Sequence, residues 1–432
     1  MKNKKLSTGI LLGMAMGAVH ADNEGLKELL DVLKKNDTLT QQQHEQLRQA
    51  VSQDEQEVQN VEVNTQGGIN ISSLDKHFSF RLGGRVMVDN AFYYQDKNPL
   101  GNGTKIRRAR LEMKGKLFTD WHFVLNPEIG SDENVNLTDA YIRYEGLSPV
   151  KILIGQFKAP FSIEQQTSNR HITFMERSLM DVFAPGRSVS LGAMLPGKNW
   201  MLAAGISGED SKTDAPNEGN EGWGMLVRGS YAPFYSDTRV LHFGLGACYR
   251  NPNDEKTVRF RTRPESYVTD IKYVDTGVIG DVHHFNRYIL ETAGVLGPFS
   301  LQGEYTRAEV NRDDSFSDLA FNAWYLYGSW FLTGESRPYL PGKGGFWRVK
   351  PKSNWGAWEL AARYSVLDLN DGFITGGEEK NMTFGINWYI NEQVRLTANY
   401  IIVDNDQNAN ADGNVLGNDD PTIFQMRMQM EF

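Results

Sequence analysis

Apolar and polar residues alternate with a period of two along most of this 432-residue chain, from Phe78 to the last residue. The final segment sets Phe424, Met426, Met428, Met430 and Phe432 against Gln425, Arg427, Gln429 and Glu431. Side chains of a strand point alternately to its two faces, so the pattern predicts strands with one apolar face. Each segment is about ten residues long, as in a tilted strand that crosses a bilayer. A soluble sandwich also alternates, but flanking aromatic residues and the C-terminal Phe432 favour an all-β transmembrane antiparallel β-barrel over residues 78–432.

The alternating segments number about sixteen, an even count that lets the first and last strands pair antiparallel. They begin near residues 78, 104, 121, 135, 150, 188, 199, 222, 239, 281, 298, 319, 354, 380, 394 and 421. Tight turns such as 119–120 and 297–298 alternate with long connections such as 159–187 and 251–280. This is the pattern of short periplasmic turns and long external loops. The connection 333–353 breaks it, because it is long but falls on the short-turn side.

The residues before the barrel differ in character. A basic start, an apolar stretch from Leu6 to Val19 and a cleavage site after Ala21 predict a secretory signal peptide over residues 1–21. Leucines at helical spacing and a capping box from Thr40 to Gln43 predict a periplasmic helical or coiled-coil segment over 22–60. A solvated, partly ordered helix is the alternative, and residues 61–77 are expected to be a linker.

Composition excludes several classes of protein. Only 40% of residues are hydrophobic, and outside the N-terminus no stretch approaches the about 18–20 apolar residues that a membrane helix needs. The net charge of −9 argues against a nucleic-acid binder. The single cysteine, Cys248, excludes an intramolecular disulfide, and the pair His283-His284 lacks a placed third metal ligand. We therefore expect no enzymatic activity, no metal and no cofactor.

The basic residues of segment 105–117 are expected to face the barrel lumen or lie at a rim. Leu111 and its alternate neighbours take the lipid face, which leaves Arg108 on the other. An arginine facing lipid at the midplane would cost about 2–4 kcal/mol. The same argument places Arg85 inside the lumen. Arg107 adjoins Arg108, so it needs a β-bulge or a position at the rim.

Further basic residues predict an anion pathway, since rings of Arg or Lys select anions. One row of basic residues, at positions i, i+2 and i+4, consists of Arg259, Arg261 and Arg263. The alternative interpretation is that this row faces solvent and binds no anion. The long connection 333–353 sets against Glu335 five cations: Arg337, Lys343, Arg348, Lys350 and Lys352. The candidate constriction loop contributes Lys158, Arg170, Arg177 and Arg187.

Several motifs resemble the phosphate-selective porins O and P of Gram-negative outer membranes, in the same order over about 350 residues. These motifs are FSFRLGGRVMVD (78–89), IRRARLEMKG (106–115), IEQQTSNRHITFMERS (163–178), RTRP (261–264), GAWELAARY (356–364) and GINWYINEQVRLTANY (385–400). The resemblance implies a homotrimer of sixteen-stranded barrels with inward-folded loops, in which 333–353 is an inward-folded periplasmic segment. It also implies contact with outer-membrane lipid and an arginine ladder that guides phosphate, formed by Arg85, Arg107, Arg108, Arg261 and Arg263, with Arg177 at the constriction.

The chain departs from the family pattern at three positions. Gln165 stands where phosphate-binding members carry a constriction lysine, and Thr138 stands at their nearby acid, although Asp139 follows. Glu265 replaces a further ladder arginine. We therefore expect phosphate to block the chloride current only weakly. Gln165→Lys should strengthen that block by about tenfold or more. If block is already strong, Arg170 or Lys158 is expected to set selectivity instead.

These features predict a channel for passive, anion-selective diffusion through an arginine- and lysine-lined lumen, with phosphate or polyphosphate as the expected solute. Two alternatives remain open at this stage. One is a weakly selective general porin, and the other is a structural or adhesive barrel without transport.

Overall fold

The computed structural model describes residues 22–35, 40–58, 61–129, 135–209, 220–313 and 315–432. The expected signal peptide over 1–21 therefore lies outside the described residues. The chain divides into two units, one of Met1–Asn64 with Ile71–Ser79 and one of Thr65–Asn70 with Phe80–Phe432.

The first unit contains helices α1 (Asp22–Lys35) and α2 (Gln41–Val58) and strand β1 (Val61–Asn64). The capping box is present, because Gln43 N donates to Thr40 Oγ1 at 3.3 Å and Thr40 N to Gln43 Oε1 at 3.1 Å. The two helices are linked by a contact of 2.8 Å between His44 Nε2 and Asp31 Oδ1. Among the described helices, none is both long and apolar enough to cross a membrane.

The larger unit is a closed antiparallel barrel of sixteen strands. After the short β2 (Ile69–Ser73), the barrel strands are β3 (Ser79–Tyr94), β4 (Gly103–Leu117), β5 (Trp121–Ile129), β6 (Val135–Tyr144), β7 (Lys151–Lys158), β8 (Arg187–Pro196), β9 (Trp200–Ser207), β10 (Trp223–Tyr235), β11 (Arg239–Asn251), β14 (Val282–Leu296), β15 (Phe299–Arg312), β16 (Leu319–Phe331), β19 (Ala357–Asp371), β20 (Ile374–Tyr389), β21 (Val394–Asn405) and β22 (Thr422–Glu431). The last strand closes on the first, with Met428 opposite Val88 and Glu431 opposite Arg85. The connections contain helix α3 (Ile163–Gln166) and strands β12 (Arg261–Thr262), β13 (Val274–Asp275), β17 (Tyr339–Leu340) and β18 (Gly345–Phe346).

The barrel wall is apolar outside and polar inside, which is the reverse of a soluble β protein. In β22, Met426, Met428 and Met430 are 41–54% exposed on the outer face. The intervening Arg427 and Glu431 are buried in the interior. This confirms the predicted membrane barrel and excludes the soluble sandwich, because a sandwich would bury the apolar stripe.

Sequence alternation predicted nearly every strand start to within one residue. The exceptions are β19, which begins three residues later than expected, and β20, which begins at Ile374 instead of near 380. The additional residues at the start of β20 include Gly376 and Gly377 followed by charged residues, so this part of the strand has no apolar stripe. Its pairing with β19 continues to the hairpin end, where Ile374 lies opposite Asp371.

Two connections fold into the barrel and fill one side of its lumen. Residues 159–186 and 252–281 contribute buried aromatic side chains that pack against inward residues of β14 to β22. The rings of Phe183 and Phe260 lie 5.2 Å apart between centroids, and those of Phe174 and Tyr327 lie 5.4 Å apart. Open space in the described barrel is therefore concentrated toward the opposite wall, from β3 to β11.

Candidate anion site

A cavity of about 580 Å³ lies between the wall from β3 to β11 and the inward-folded connection 159–186. Its lining holds eleven cationic side chains: Arg85, Arg108, Arg110, Lys114, Lys158, Arg170, Arg177, Arg187, Arg250, Arg287 and Lys343. Against them stand three carboxylates, from Glu112, Asp139 and Glu209. The cavity is thus strongly positive in a chain whose net charge is −9.

Strand β4 supplies three of these cations, Arg108, Arg110 and Lys114, and its alternation also shifts within the strand. The exposed apolar residues change from an even position, Ile106, to an odd position, Leu111. One extra residue between them lets both Arg107 and Arg108 point inward, as the sequence required. Arg107 reaches Glu176 of the inward connection at 2.7 Å, while Arg108 lies 3.3 Å from Glu128.

The carboxylates of the cavity are shared by several cations. Glu112 alone lies 3.6 Å from Arg85, 3.0 Å from Lys114 and 3.4 Å from Arg170. Asp139 accepts from Arg187 at 2.9 Å and lies 3.9 Å from Arg110. Sharing of this kind holds the arginines in place and leaves a surplus of positive charge facing the cavity.

A second set of arginines, on the opposite wall, anchors the inward connection instead of facing the cavity. Arg363 donates to the Glu176 carbonyl at 3.0 Å and Arg395 to the Ile172 carbonyl at 2.8 Å. Arg427 donates to the Met175 carbonyl. These charge-assisted hydrogen bonds fix the connection against β19, β21 and β22.

Glu176 joins the two walls. Its carboxylate accepts from Arg107 Nε at 2.7 Å and from Arg427 Nη2 at 2.5 Å. Burial alone would raise the pKa of Glu176, but the two guanidinium groups outweigh it and hold that pKa well below its usual range. The side chain is therefore an anion at any physiological pH.

Some of the residues predicted from sequence line the cavity and the others lie elsewhere. Those that line it are Arg85, Arg108, Lys158, Arg170, Arg177, Arg187 and Lys343. Lys158 is the last residue of strand β7, and not part of the inward loop as expected from sequence. Arg107 lies inside the lumen but is engaged by Glu176 and by the ring of Tyr267, 3.9 Å from its guanidinium carbon.

The row Arg259, Arg261 and Arg263 lies outside the cavity lining, on the inward external connection. Arg259 forms two hydrogen bonds of 2.7 Å with Asp275, and Arg263 donates to Asp270 at 2.7 Å. Arg261 is 4.0 Å from Asp275. Local acids therefore compensate much of the charge that the sequence assigned to this row.

Of the five cations predicted in the basic periplasmic turn, Lys343 alone lines the cavity. Burial, together with Lys114 and other nearby cations, lowers the pKa of Lys343 to about 8. Arg337 packs 3.7 Å over the Phe346 ring. The remaining three engage the turn or its surroundings: Arg348 pairs with Glu431 at 3.0 Å, Lys350 lies 3.9 Å from Glu392, and Lys352 donates to the Gly334 carbonyl at 2.5 Å.

None of the three positions that depart from the family pattern lines the cavity, although the resemblance placed them along the anion pathway. The Gln165 side chain is buried and donates to the Asp181 carboxylate. Thr138 donates to the Asn126 carbonyl at 2.7 Å, and its neighbour Asp139 lines the cavity. Glu265 is buried against Arg363 and Ser365, so it belongs to the anchoring wall.

Sequence reasoning omitted several residues from the site that strand parity could have found. Arg287 points inward because its neighbours Tyr288 and Leu290 are exposed on the outer face. Arg250 shares its parity with the buried Cys248 in β11. The anchoring role of Arg363 could not be found this way, because it depends on the course of a connection without periodicity.

The inward connection should lose stability as the pH rises from about 4.5 to about 7. Burial raises the pKa of Glu164 from 4.5 to about 7, despite the Arg363 guanidinium at 3.6 Å. The folded state therefore keeps a proton that the unfolded segment has lost, so stability falls across this window by up to about 3 kcal/mol. Hydrogen exchange of residues 163–178, corrected for intrinsic rates, should show this loss. Glu164→Gln should remove the pH dependence, and an unchanged slope in that variant would contradict it.

Comparison with known proteins gives consistent matches across the barrel. A family model described as phosphate-selective porin O and P matches residues 80–432. Porin O of Pseudomonas aeruginosa is 28% identical over 415 residues, covering 86% of this chain and 92% of that protein. An anion-selective porin from Comamonas acidovorans has a TM-score of 0.54 at 14% identity, covering 82% of this chain and 100% of that one. OmpT of Vibrio cholerae has a TM-score of 0.53 at 11% identity, covering 82% and 98%. The two solved structures share the barrel fold with this chain.

Proposed function

The chain belongs to the phosphate-selective porin O and P family, and we propose that it conducts anions selectively by passive diffusion across the outer membrane of a Gram-negative bacterium. The family and the barrel give a channel located in that membrane. Selectivity for anions is the further step, and it rests on the lumen.

The observation that carries this proposal is the charge of the cavity, where eleven cations face three carboxylates. Cationic rings that line a pore favour anions and exclude cations. A single unit charge about 4 Å from an anion attracts it by up to about 4 kcal/mol at an effective dielectric of about 20. Several cations distributed along the wall give an ion successive sites, so that it can enter and still leave.

We propose phosphate or polyphosphate as the solute. Guanidinium groups form paired hydrogen bonds with phosphate oxygens, and ammonium groups act as point charges for them. Both kinds of donor line the same cavity, in Arg177, Arg187 and Lys158. The relative named porin O and the family description support this choice of anion.

We also propose that the protein is a homotrimer embedded in outer-membrane lipid. The apolar outer face of the strands, exposed in one chain, provides the surface for lipid and for neighbouring subunits.

The reversal potential in a planar bilayer under a potassium chloride gradient should have the sign of an anion-selective channel. Phosphate added to one side should then reduce the chloride current, because both anions compete for the same cations. Cation preference would overturn the proposal, and weak selectivity without block would favour a general porin. Complete absence of conductance from folded protein would instead support the barrel without transport.

A further inference from the structure

We infer that the cavity binds an aromatic oxyanion, such as an aryl phosphate ester, with its charged end on the cations and its ring on an apolar patch of the barrel wall. We call this surface the inner apolar patch, and it consists of Val124, Tyr141, Leu153, Phe157 and Met194. The inference rests on the proposed anion conduction and names a class of solute beyond inorganic phosphate.

The inner apolar patch lies on the lumen side of the wall, where a membrane barrel is ordinarily polar. The residues that follow three of its members are exposed on the outer face: Leu125, Ile142 and Ile154. Because side chains of a strand alternate between faces, Val124, Tyr141 and Leu153 point inward. Val124 lies directly opposite Tyr141 in the pairing of β5 with β6, and all five members line the cavity.

Two aromatic rings form the centre of the patch. The rings of Tyr141 and Phe157 lie 5.8 Å apart between centroids, with 73° between their planes. The Phe157 ring lies across a glycine of β8, since a Cβ at Gly192 would be 2.9 Å from Phe157 Cζ. Both aromatic side chains are half-buried, so part of each ring stays open to the cavity.

The patch does not belong to the packed interior. The buried apolar clusters formed by the described residues contain none of its five members. The inward connection places its aromatic residues, such as Phe174 and Phe183, against the opposite wall instead. An apolar surface that stays exposed marks a binding surface, because covering it removes apolar area from water. Its position inside the lumen makes a solute the partner that can reach it.

Cations that would hold the charged end of the solute adjoin the patch. Lys158 follows Phe157 directly in the chain and lies opposite Arg187 in the pairing of β7 with β8. Arg187 donates to Asp139 at 2.9 Å, and Asp139 lines the cavity two residues before Tyr141 on the same strand. Charged donors and aromatic rings therefore meet along one stretch of the wall.

The size of the cavity also suits an organic anion. Its volume of about 580 Å³ falls within the about 300–1,000 Å³ of sites that bind small organic molecules, whereas inorganic phosphate has only five non-hydrogen atoms. Such sites combine apolar walls with a few placed polar groups. Here the polar groups are mostly cations, and the paired rings favour an aromatic solute because rings attract one another beyond the area they bury.

Block of the chloride current by two phosphate esters tests the inference in the full-length protein. Phenyl phosphate and methyl phosphate carry the same charge at about pH 8, above their second pKa of about 6, and differ only in the organic group. In the wild type, phenyl phosphate should block at about tenfold lower concentration, because its ring buries apolar surface and gains an aromatic contact. Phe157→Leu and Tyr141→Leu should each remove most of this advantage and leave block by methyl phosphate unchanged.

Phe243→Leu is the matched control, because Phe243 is 50% exposed on the outer face of β11 and its replacement should keep the full advantage of phenyl phosphate. Cation preference in the wild-type channel would remove the proposed function and the inference with it. With an anion-selective wild type, equal block by the two esters would overturn the inference alone. An advantage that survives both Phe157→Leu and Tyr141→Leu would also overturn it, as would an equal loss of block for both esters, since the rings would then not bind the solute.

Discussion

Replacing Glu176 with glutamine should lower the free energy of unfolding by about 3–5 kcal/mol, because it leaves two interior arginines without their shared carboxylate. The Arg427 side chain is 1% exposed and keeps Asp89 at 2.7 Å, but among the described residues Arg107 keeps only the face of Tyr267. Glutamine has nearly the same shape as glutamate, so the loss reports charge and not packing. The inward connection should also loosen, since Glu176 is its link to strand β4.

Guanidinium unfolding of detergent-folded protein, followed by tryptophan fluorescence, measures this loss. Glu209→Gln is the matched control, because Glu209 pairs with one arginine, Arg250, at 2.6 Å and is 25% exposed. Its replacement should cost less than about 1 kcal/mol. Equal unfolding midpoints for Glu176→Gln and wild type would show that the arginines do not depend on this carboxylate.

The barrel was predictable from sequence because its wall obeys one simple rule. An outer face in lipid and an inner face lined by polar groups impose a strict period of two, as in Met426 to Met430 of β22. The prediction was least accurate at the β19–β20 hairpin, where the strands continue past the apolar stripe. Gly376 is buried there beside Leu369 and Thr276, so this end of the strand follows packing and pairing inside the protein and shows no apolar stripe facing lipid.

The pore site was predictable only in part, because parity gives the face of a residue but not its partner. Arg85 and Arg108 were assigned to the lumen on parity, and both line the cavity. Arg259 and Gln165 were assigned on their spacing or on resemblance, and the structure engages them with Asp275 and Asp181. Those partners lie 16 residues away along the chain, in connections that have no periodic signal.

The lumen divides its arginines between two tasks. On the β3–β11 side they outnumber the carboxylates and face open space, as Arg177 and Arg187 do. On the other side Arg363 and Arg395 give their hydrogen bonds to loop carbonyls. In the proposed channel the second task supports the first, because a fixed connection would confine ions to the strongly positive part of the lumen.

Arg228→Met should cost about 3–5 kcal/mol of folding free energy, since it leaves the Glu291 carboxylate buried without its guanidinium partner. The two side chains are 0% exposed and joined by hydrogen bonds of 2.7 and 2.6 Å. Arg228 also donates to the Gly344 carbonyl at 2.9 Å, next to Lys343. A Cβ at Gly344, whose φ is +57°, would lie 2.9 Å from Arg228 Nη1, so the turn and the pair fit closely.

The double variant Arg228→Met/Glu291→Leu separates the two roles of this pair. Apolar replacement of both charges should restore most of the stability, because a buried ion pair is often no more stable than packed apolar groups. It cannot restore the donor to Gly344, so Lys343 should lose its fixed place and chloride conductance should fall most at low salt, where screening is weakest. Guanidinium unfolding and conductance at 0.1 and 1 M salt measure the two effects in one preparation. If the double variant is as unstable as Arg228→Met, the cost comes from lost packing against the turn and not from an unpaired charge.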